Sequence, residues 1–286
     1  MKTYMIRCDI EGVTGVVSYE QAEPGKCEYA FGQRMFMSDL LACVSGLREG
    51  GAERVVIYDM HYYGRNIDLG ALPEYASAIC GKPAYRKDWA GGLDKSFAGM
   101  VLLGLHSKAD TPGGLLPHSY ELEVADLRLN GVSVGEIGME AAIAGDWGVG
   151  TLLVAGDSAG ADEARALLPG VVTAVVKQSL GPSGALCYPQ PLTAGMIFRA
   201  AAEVVRHAPV VTPYYIGRKV KLEARIRQGE YLDAVRSLFN REMSGKGNDT
   251  LVLKGTSATE VWAKYLARKF QAQDYLKNAV ECEIPF

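Results

Sequence analysis

The side chains able to hold a metal or move a proton recur at similar places along this 286-residue sequence. Asp9 and Glu11 lie in Cys8-Asp9-Ile10-Glu11-Gly12, directly after the apolar run Tyr4–Cys8. His61 follows Val55-Val56-Ile57-Tyr58-Asp59-Met60, and His106 follows Val101-Leu102-Leu103-Gly104-Leu105. Glu136 comes after Gly135 at the start of a helical pattern, and His118 lies in the loop-like Gly113-Gly114-Leu115-Leu116-Pro117-His118-Ser119. Imidazole and carboxylate ligands suit a borderline divalent ion such as zinc. Asp9 and Glu11 are two apart, so on an extended strand they point to the same side. Carboxylates that close repel unless a cation lies between them. Five ligands exceed what one tetrahedral ion with an open position needs. They fit two ions sharing a carboxylate, an arrangement of hydrolases that activate water with metals. Each residue also has a structural reading. A histidine at a strand end is commonly hydrogen-bonded in place, an aspartate there caps a turn, and Glu136 complements a helix dipole. Spacing alone leaves both readings open. For His118 an active-site loop and a plain surface loop are equally open. His207, at a helix end before Ala208-Pro209, is read as a cap without function.

These residues need elements to carry them to one place. Tyr4–Cys8, Arg54–Tyr58, Met100–Leu105, Thr151–Ala155 and Val171–Val176 are strand candidates. Helical spacing marks Tyr29–Glu49, stopped by Gly50-Gly51, and Glu136–Trp147. Ser158 is the expected N-cap of a helix over Ala161–Leu168. Continuous apolar strands separated by helices imply an α/β fold of three layers, a mainly parallel sheet covered on both faces. Ligands bind at the carboxyl ends of strands in such sheets, which puts Asp9, Glu11, His61 and His106 on one rim. Leu127–Leu129 and Val132–Val134 flank Asn130-Gly131, a two-residue hairpin signal.

The Gly/Pro-rich stretch from Gly181 to Pro191 is the expected boundary. It divides the chain into a metal-binding catalytic domain over residues 1–190 and a smaller C-terminal α/β subdomain over 191–286. In the latter, helix Thr193–His207, strand Lys219–Ile226, helix Tyr231–Phe239, strand Thr250–Leu253 and helix Thr259–Ala272 are expected. Tyr214, Tyr215, Arg218 and Lys177 are secondary candidates for touching a substrate, outside the site set.

Composition narrows the function classes. Lysine and arginine number 30 against 33 aspartate and glutamate, a net charge of −3. Such a chain carries no basic field for nucleic acid or an anionic membrane. Hydrophobic types at 48% argue against disorder. No stretch suits a membrane span, and Arg7 and Asp9 leave no room for a signal-peptide core, so a cytoplasmic protein is expected. The six cysteines are scattered without a CxxC pair and read as reduced thiols. GxGxxG, GxxxxGK[ST] and HExxH are all missing, which removes several common α/β enzyme classes.

The motifs in order resemble a known family. Asp9-Ile10-Glu11-Gly12-Val13-Thr14-Gly15, Tyr58-Asp59-Met60-His61, Gly104-Leu105-His106 with Thr111-Pro112-Gly113, His118-Ser119, Val134-Gly135-Glu136-Ile137-Gly138 and Val154-Ala155-Gly156-Asp157 are similar to the D-aminopeptidases of dipeptide-transport operons, the M55 metallopeptidases. The likeness runs to about residue 180 and continues more loosely through Lys221-Leu222-Glu223 and Leu253-Lys254-Gly255-Thr256. It implies that Asp9, Glu11, His61, His106 and Glu136 hold two zinc ions, with Asp9 bridging. It implies that His118 is the catalytic residue, as a proton carrier or as a nucleophile. It also implies a homo-oligomer, a ring-like decamer with an internal channel. The function expected is a zinc-dependent aminopeptidase that hydrolyses short peptides or amides with an N-terminal D-amino acid through a water activated by two metals. Two alternatives stand beside it: a dinuclear metal amidase or peptidase of different chirality, and a non-catalytic assembly protein on the same fold.

Overall fold

A computed structural model of the chain describes residues 2–207 and 211–282. In chain order the strands are β1 (Thr3–Cys8), β2 (Arg54–Asp59), β3 (Ala76–Ile79), β4 (Phe97–Leu105), β5 (Val124–Leu129), β6 (Val132–Val134), β7 (Thr151–Asp157), β8 (Val172–Gly181), β9 (Gly184–Cys187), β10 (Val220–Ile226), β11 (Met243–Ser244) and β12 (Thr250–Gly255). The α-helices are α1 (Tyr19–Ala22), α2 (Tyr29–Gly50), α3 (Glu136–Asp146), α4 (Ser158–Leu167), α5 (Gln190–Arg206), α6 (Glu230–Phe239) and α7 (Ala258–Cys282).

The main sheet has the order β3-β2-β1-β4-β7-β8-β9, parallel throughout except for the β8–β9 hairpin. Strand β1 shows why its sequence reads as unbroken apolar. Tyr4, Ile6 and Cys8 face the core under α2 and α5, with Phe36, Leu40, Leu47, Ile197 and Val204. Met5 faces the opposite core with Ile137, Ala141 and Ala164 of α3 and α4. Alternate residues point to opposite faces, and both faces are covered, so neither set tolerates water. Because β2, β1 and β4 are neighbours, their carboxyl ends open side by side, and the crossover direction reverses between β1 and β4.

A second, antiparallel sheet has the order β11-β12-β10-β5-β6. Asn130 (φ 48°) and Gly131 (φ 86°) turn β5 into β6 with both central residues left-handed, as a type I′ hairpin requires. Helix α3 lies between the sheets, and every residue from Glu136 to Gly145 is buried. Ile137, Ala141 and Ala144 meet the main sheet, while Met139, Ala142 and Ile143 meet the second core with Leu232, Val235, Trp262 and Tyr265. A helix buried all round needs apolar residues on both of these faces, and its two buried carboxylates, Glu136 and Glu140, need partners.

The boundary expected at residue 190 follows neither sheet. Gly181-Pro182-Ser183-Gly184 forms the β8–β9 turn inside the main sheet, and Pro189 and Pro191 open α5, which packs along α2. The second sheet takes β5 and β6 from the N-terminal side. Proline is tolerated in a first helical turn, so Pro189 and Pro191 fit a helix start here. Asp157, not Ser158, caps α4: its carboxylate accepts the Gly160 N–H at 2.9 Å.

Candidate metal centre

Four residues of the centre come from three neighbouring strand ends. Asp9 follows β1, and its N–H donates to the Leu103 carbonyl of β4 at 2.9 Å. Glu11 lies on the turn beyond it. His61 sits two residues past β2, and its turn is tied by Asp59, which accepts the His61 N–H at 3.2 Å and the Asn66 N–H at 2.7 Å. His106 follows β4 directly. Gly12 lets two of these ends approach. Its N–H donates to the Gly104 carbonyl at 2.7 Å, and a Cβ there would lie 2.1 Å from the Leu105 oxygen. The residue after Glu11 therefore has no room for a side chain.

All six residues expected from the sequence meet. Asp9, Glu11 and His61 form one group, and His106, His118 and Glu136 another, with the ligand atoms of each group within 4.8 Å of one another. The His61 Nε2 is 3.3 Å from Glu11 Oε1, and His106 Nε2 lies 3.6 Å from Asp9 Oδ2 and 3.3 Å from Glu136 Oε1. Asp9 thus joins the two groups. The His118 ring stacks on His106 at 4.0 Å, with its Nε2 3.7 Å from Glu136 Oε1.

The donor atoms fit a cation better than they fit each other. Glu11 Oε2, both ring nitrogens of His61 and His106 Nε2 are buried without a hydrogen-bond partner. Orphaned buried polar atoms are costly and rare, and a convergent set of them marks a missing ligand. His106 Nδ1 faces the Ser107 carbonyl and His118 Nδ1 the Leu116 carbonyl, each at 2.9 Å. A carbonyl only accepts, so both rings carry the proton on Nδ1 and leave Nε2 as a lone pair aimed inward.

Electrostatics give the same answer. Burial first, then the Glu11 and Glu136 charges, push the Asp9 carboxyl up to about 7. Burial opposes charge on His61, but Glu11 outweighs it and raises the ring to about 9. His106 is likewise raised despite burial, by Asp9 and Glu136. Three buried carboxylates demand compensating positive charge, which protons supply unless cations do. His118 is the exception, pulled down by burial and then by His106, so it stays neutral.

Several residues that hold this set in place carried no sequence signal of their role. Glu136 opens α3, and its Oε1 accepts the Tyr120 N–H at 2.8 Å. The Tyr120 hydroxyl donates to Glu140 at 2.9 Å, one turn along, and Glu140 pairs with Arg7, a fully buried arginine on β1. The Tyr120 ring packs on Trp262 of α7 with centroids 4.2 Å apart and planes tilted by 38°, so the C-terminal helix supports Tyr120 and through it the centre. Lys177 does not contact the centre's open side. It is fully buried in the middle of β8 and donates to three carbonyls, of Glu11 and Val13 at 2.6 and 2.8 Å and of Val16 at 2.5 Å. Asp39 completes the hold, accepting the Thr14 N–H at 2.8 Å and its hydroxyl at 2.9 Å. Tyr215 and Arg218 line a separate cavity of about 490 Å³ with Asp146, Thr256 and Ser257. His207 is exposed and faces Glu203. Cys8, Cys27, Cys43, Cys80 and Cys187 are free thiols, and among the described residues no helix is long and apolar enough to cross a membrane.

A family model described as D-aminopeptidase, Peptidase M55, matches residues 1–266. The chain belongs to this family. A D-aminopeptidase of Bacillus subtilis is 35% identical over 199 residues, 69% of this chain and 70% of that protein. Among solved structures, the Zn-dependent D-aminopeptidase DppA from Bacillus subtilis, described as a self-compartmentalizing protease, superposes with a TM-score of 0.88. It is 27% identical, and the match covers 96% of this chain and 98% of that one. The D-aminopeptidase family therefore extends over both sheets of this chain.

Proposed function

We propose that this chain is a zinc-dependent aminopeptidase that releases a D-amino acid from the N-terminus of short peptides. The observation that carries the reading is the convergence of six ligand-type side chains, of which Glu11, His61 and His106 aim buried atoms without hydrogen-bond partners into the group. Asp9, Glu11, His61, His106 and Glu136 would hold two zinc ions, with Asp9, between the two groups, as the shared ligand. Two such ions bring a charge of +4 against three carboxylates. Zinc supplies Lewis acidity there: it polarises a scissile carbonyl and makes water a nucleophile at neutral pH. His118 is the proton carrier. Its Nδ1–H is fixed on the Leu116 carbonyl, and its neutral Nε2 faces the centre, free to take a proton from the attacking group and return it to the leaving amine. Leu116 (φ 46°) and Tyr120 (φ 62°) hold the loop around it in left-handed backbone, a conformation found where geometry is over-determined. The description of DppA as self-compartmentalizing supports a closed homo-oligomer for this chain too, and a decamer is the size proposed for it.

Chelation should abolish hydrolysis of D-alanyl dipeptides, and zinc should restore it at a stoichiometry near two per chain. Full activity in metal-stripped protein would sink the metal reading. L-alanyl dipeptides assayed beside them test chirality, since equal rates would leave the metal centre standing but remove the stereochemical assignment. His118→Ala should keep its zinc while turnover falls roughly 10²–10⁴-fold. Near-normal kcat in that variant would remove the proton-transfer role.

A further inference from the structure

Lys177 and Lys82 are both lysines near the centre, and they differ in what their charge faces. All three N–H donors of Lys177 are held by carbonyls of one loop. Lys82 is solvent-exposed, and its ammonium donates to a single neutral acceptor, the Met60 carbonyl, one residue before His61. Its segment is anchored on the His61 turn: Gly81 N–H donates to the Gly64 carbonyl at 2.7 Å, and Gly64 N–H to the His61 carbonyl at 2.9 Å. Among the described residues no carboxylate pairs with Lys82, although Asp9, Asp59, Glu136 and Glu140 lie within its electrostatic reach. A second cation stands behind it. Lys269 of α7 is lowered to about 8 by burial and then by the Lys82 charge, and it has its own partner in Glu121. Two neighbouring ammonium groups repel unless an anion joins them. With Asp9 and Glu136 committed to cations in the loaded centre, no side chain among the described residues supplies that anion to Lys82.

We infer that Lys82, backed by Lys269, receives the free C-terminal carboxylate of a dipeptide substrate. The inference rests on the aminopeptidase reading above and adds a size selection to it. Successive Cα atoms are about 3.8 Å apart, so a dipeptide carries its carboxylate one residue beyond the scissile carbonyl. A cation on the rim, anchored to the turn of one ligand, is placed for that span. A longer peptide would carry the charge past it.

The test compares D-Ala-D-Ala with its C-terminal amide on the zinc-loaded enzyme. Wild type should favour the free acid in kcat/KM by about tenfold or more, the scale of one charge-assisted hydrogen bond. In Lys82→Met the acid-to-amide ratio should collapse to within about twofold, while Lys82→Arg, which keeps the charge, should retain it. A purely structural lysine would lower both substrates together and leave the ratio unchanged, which would overturn the inference, as would a wild type without preference. Calorimetry with a hydroxyethylene isostere of the dipeptide, as acid and as amide, gives a readout independent of turnover. If no peptide is cleaved but the acid still binds tighter in a Lys82-dependent way, the aminopeptidase reading falls and the carboxylate site stands. If peptides are cleaved and neither ratio responds to Lys82, the carboxylate site falls alone.

Discussion

Replacing Lys177 with methionine removes an ammonium that ties the carbonyls of Glu11, Val13 and Val16 to the main sheet. Three hydrogen bonds from a charged donor are lost, each contributing about 1.5–3 kcal/mol, or roughly 5–9 kcal/mol in all. The variant also recovers the cost of holding an ammonium away from water. Burial pulls Lys177 from 10.5 down to about 8, a difference worth about 3 kcal/mol at 1.36 kcal/mol for each pH unit. The lost contacts win, leaving a net destabilisation of about 4 kcal/mol. Methionine fills a similar volume, so a cavity adds little. At roughly 2–4 °C for each kcal/mol, the melting temperature of the zinc-loaded protein should fall by about 10 °C in calorimetry. Glu11 lies on the released loop, so zinc content by metal analysis should fall as well. Lys177→Arg should not rescue, because the wider guanidinium has no room in a site with no solvent exposure. A Lys177→Met protein that melts within about 2 °C of wild type and keeps its full zinc would refute the idea that this ammonium organises the loop.

Two further substitutions probe the same neighbourhood. Gly12→Ala puts a Cβ 2.1 Å from the Leu105 oxygen, a clash with backbone that costs several kcal/mol and separates Glu11 from His106. Weak zinc retention with a lowered melting temperature is expected, and a wild-type melting curve would contradict the close approach. Asp39→Asn tests a pH effect. Burial pushes the Asp39 carboxyl up to about 6 against the pull of its two Thr14 hydrogen bonds. The native state therefore binds the proton more tightly than the unfolded chain, whose aspartates titrate near 3.9. That stabilisation is complete below pH 4 and is lost as pH rises through 6, about 3 kcal/mol in total. Asparagine cannot titrate, so the variant should gain on wild type in melting temperature between pH 4 and pH 7. A difference that stays flat across that range would mean that Asp39 does not titrate as described.

The sequence by itself determined the parts of this protein that depend on local pattern. Unbroken apolar runs such as Val101–Leu105 can only be strands covered on both faces, and the rule that parallel sheets open at their carboxyl ends then placed Asp9, His61 and His106 together. Asn130-Gly131 specified its turn because few other residue pairs adopt two left-handed conformations in succession. What only the tertiary structure decided is how sheets and neighbours are shared. Prolines at 182, 189 and 191 read as a domain edge, and the chain uses them for a hairpin turn in the main sheet and the start of a helix packed against that sheet. Strands β5 and β6 joined the C-terminal sheet because α3 needed apolar cover on both sides, a requirement that no window of sequence expresses. Lys177, Arg7, Glu140 and Tyr120 carry no motif, because their roles arise from tertiary contacts, Arg7 with Glu140 across 133 positions of chain and Lys177 with the Glu11 carbonyl across 166. Ligand types repeat in sequence because metal chemistry restricts them. The groups that aim those ligands are restricted only by where folding leaves an unpaired carbonyl or carboxylate.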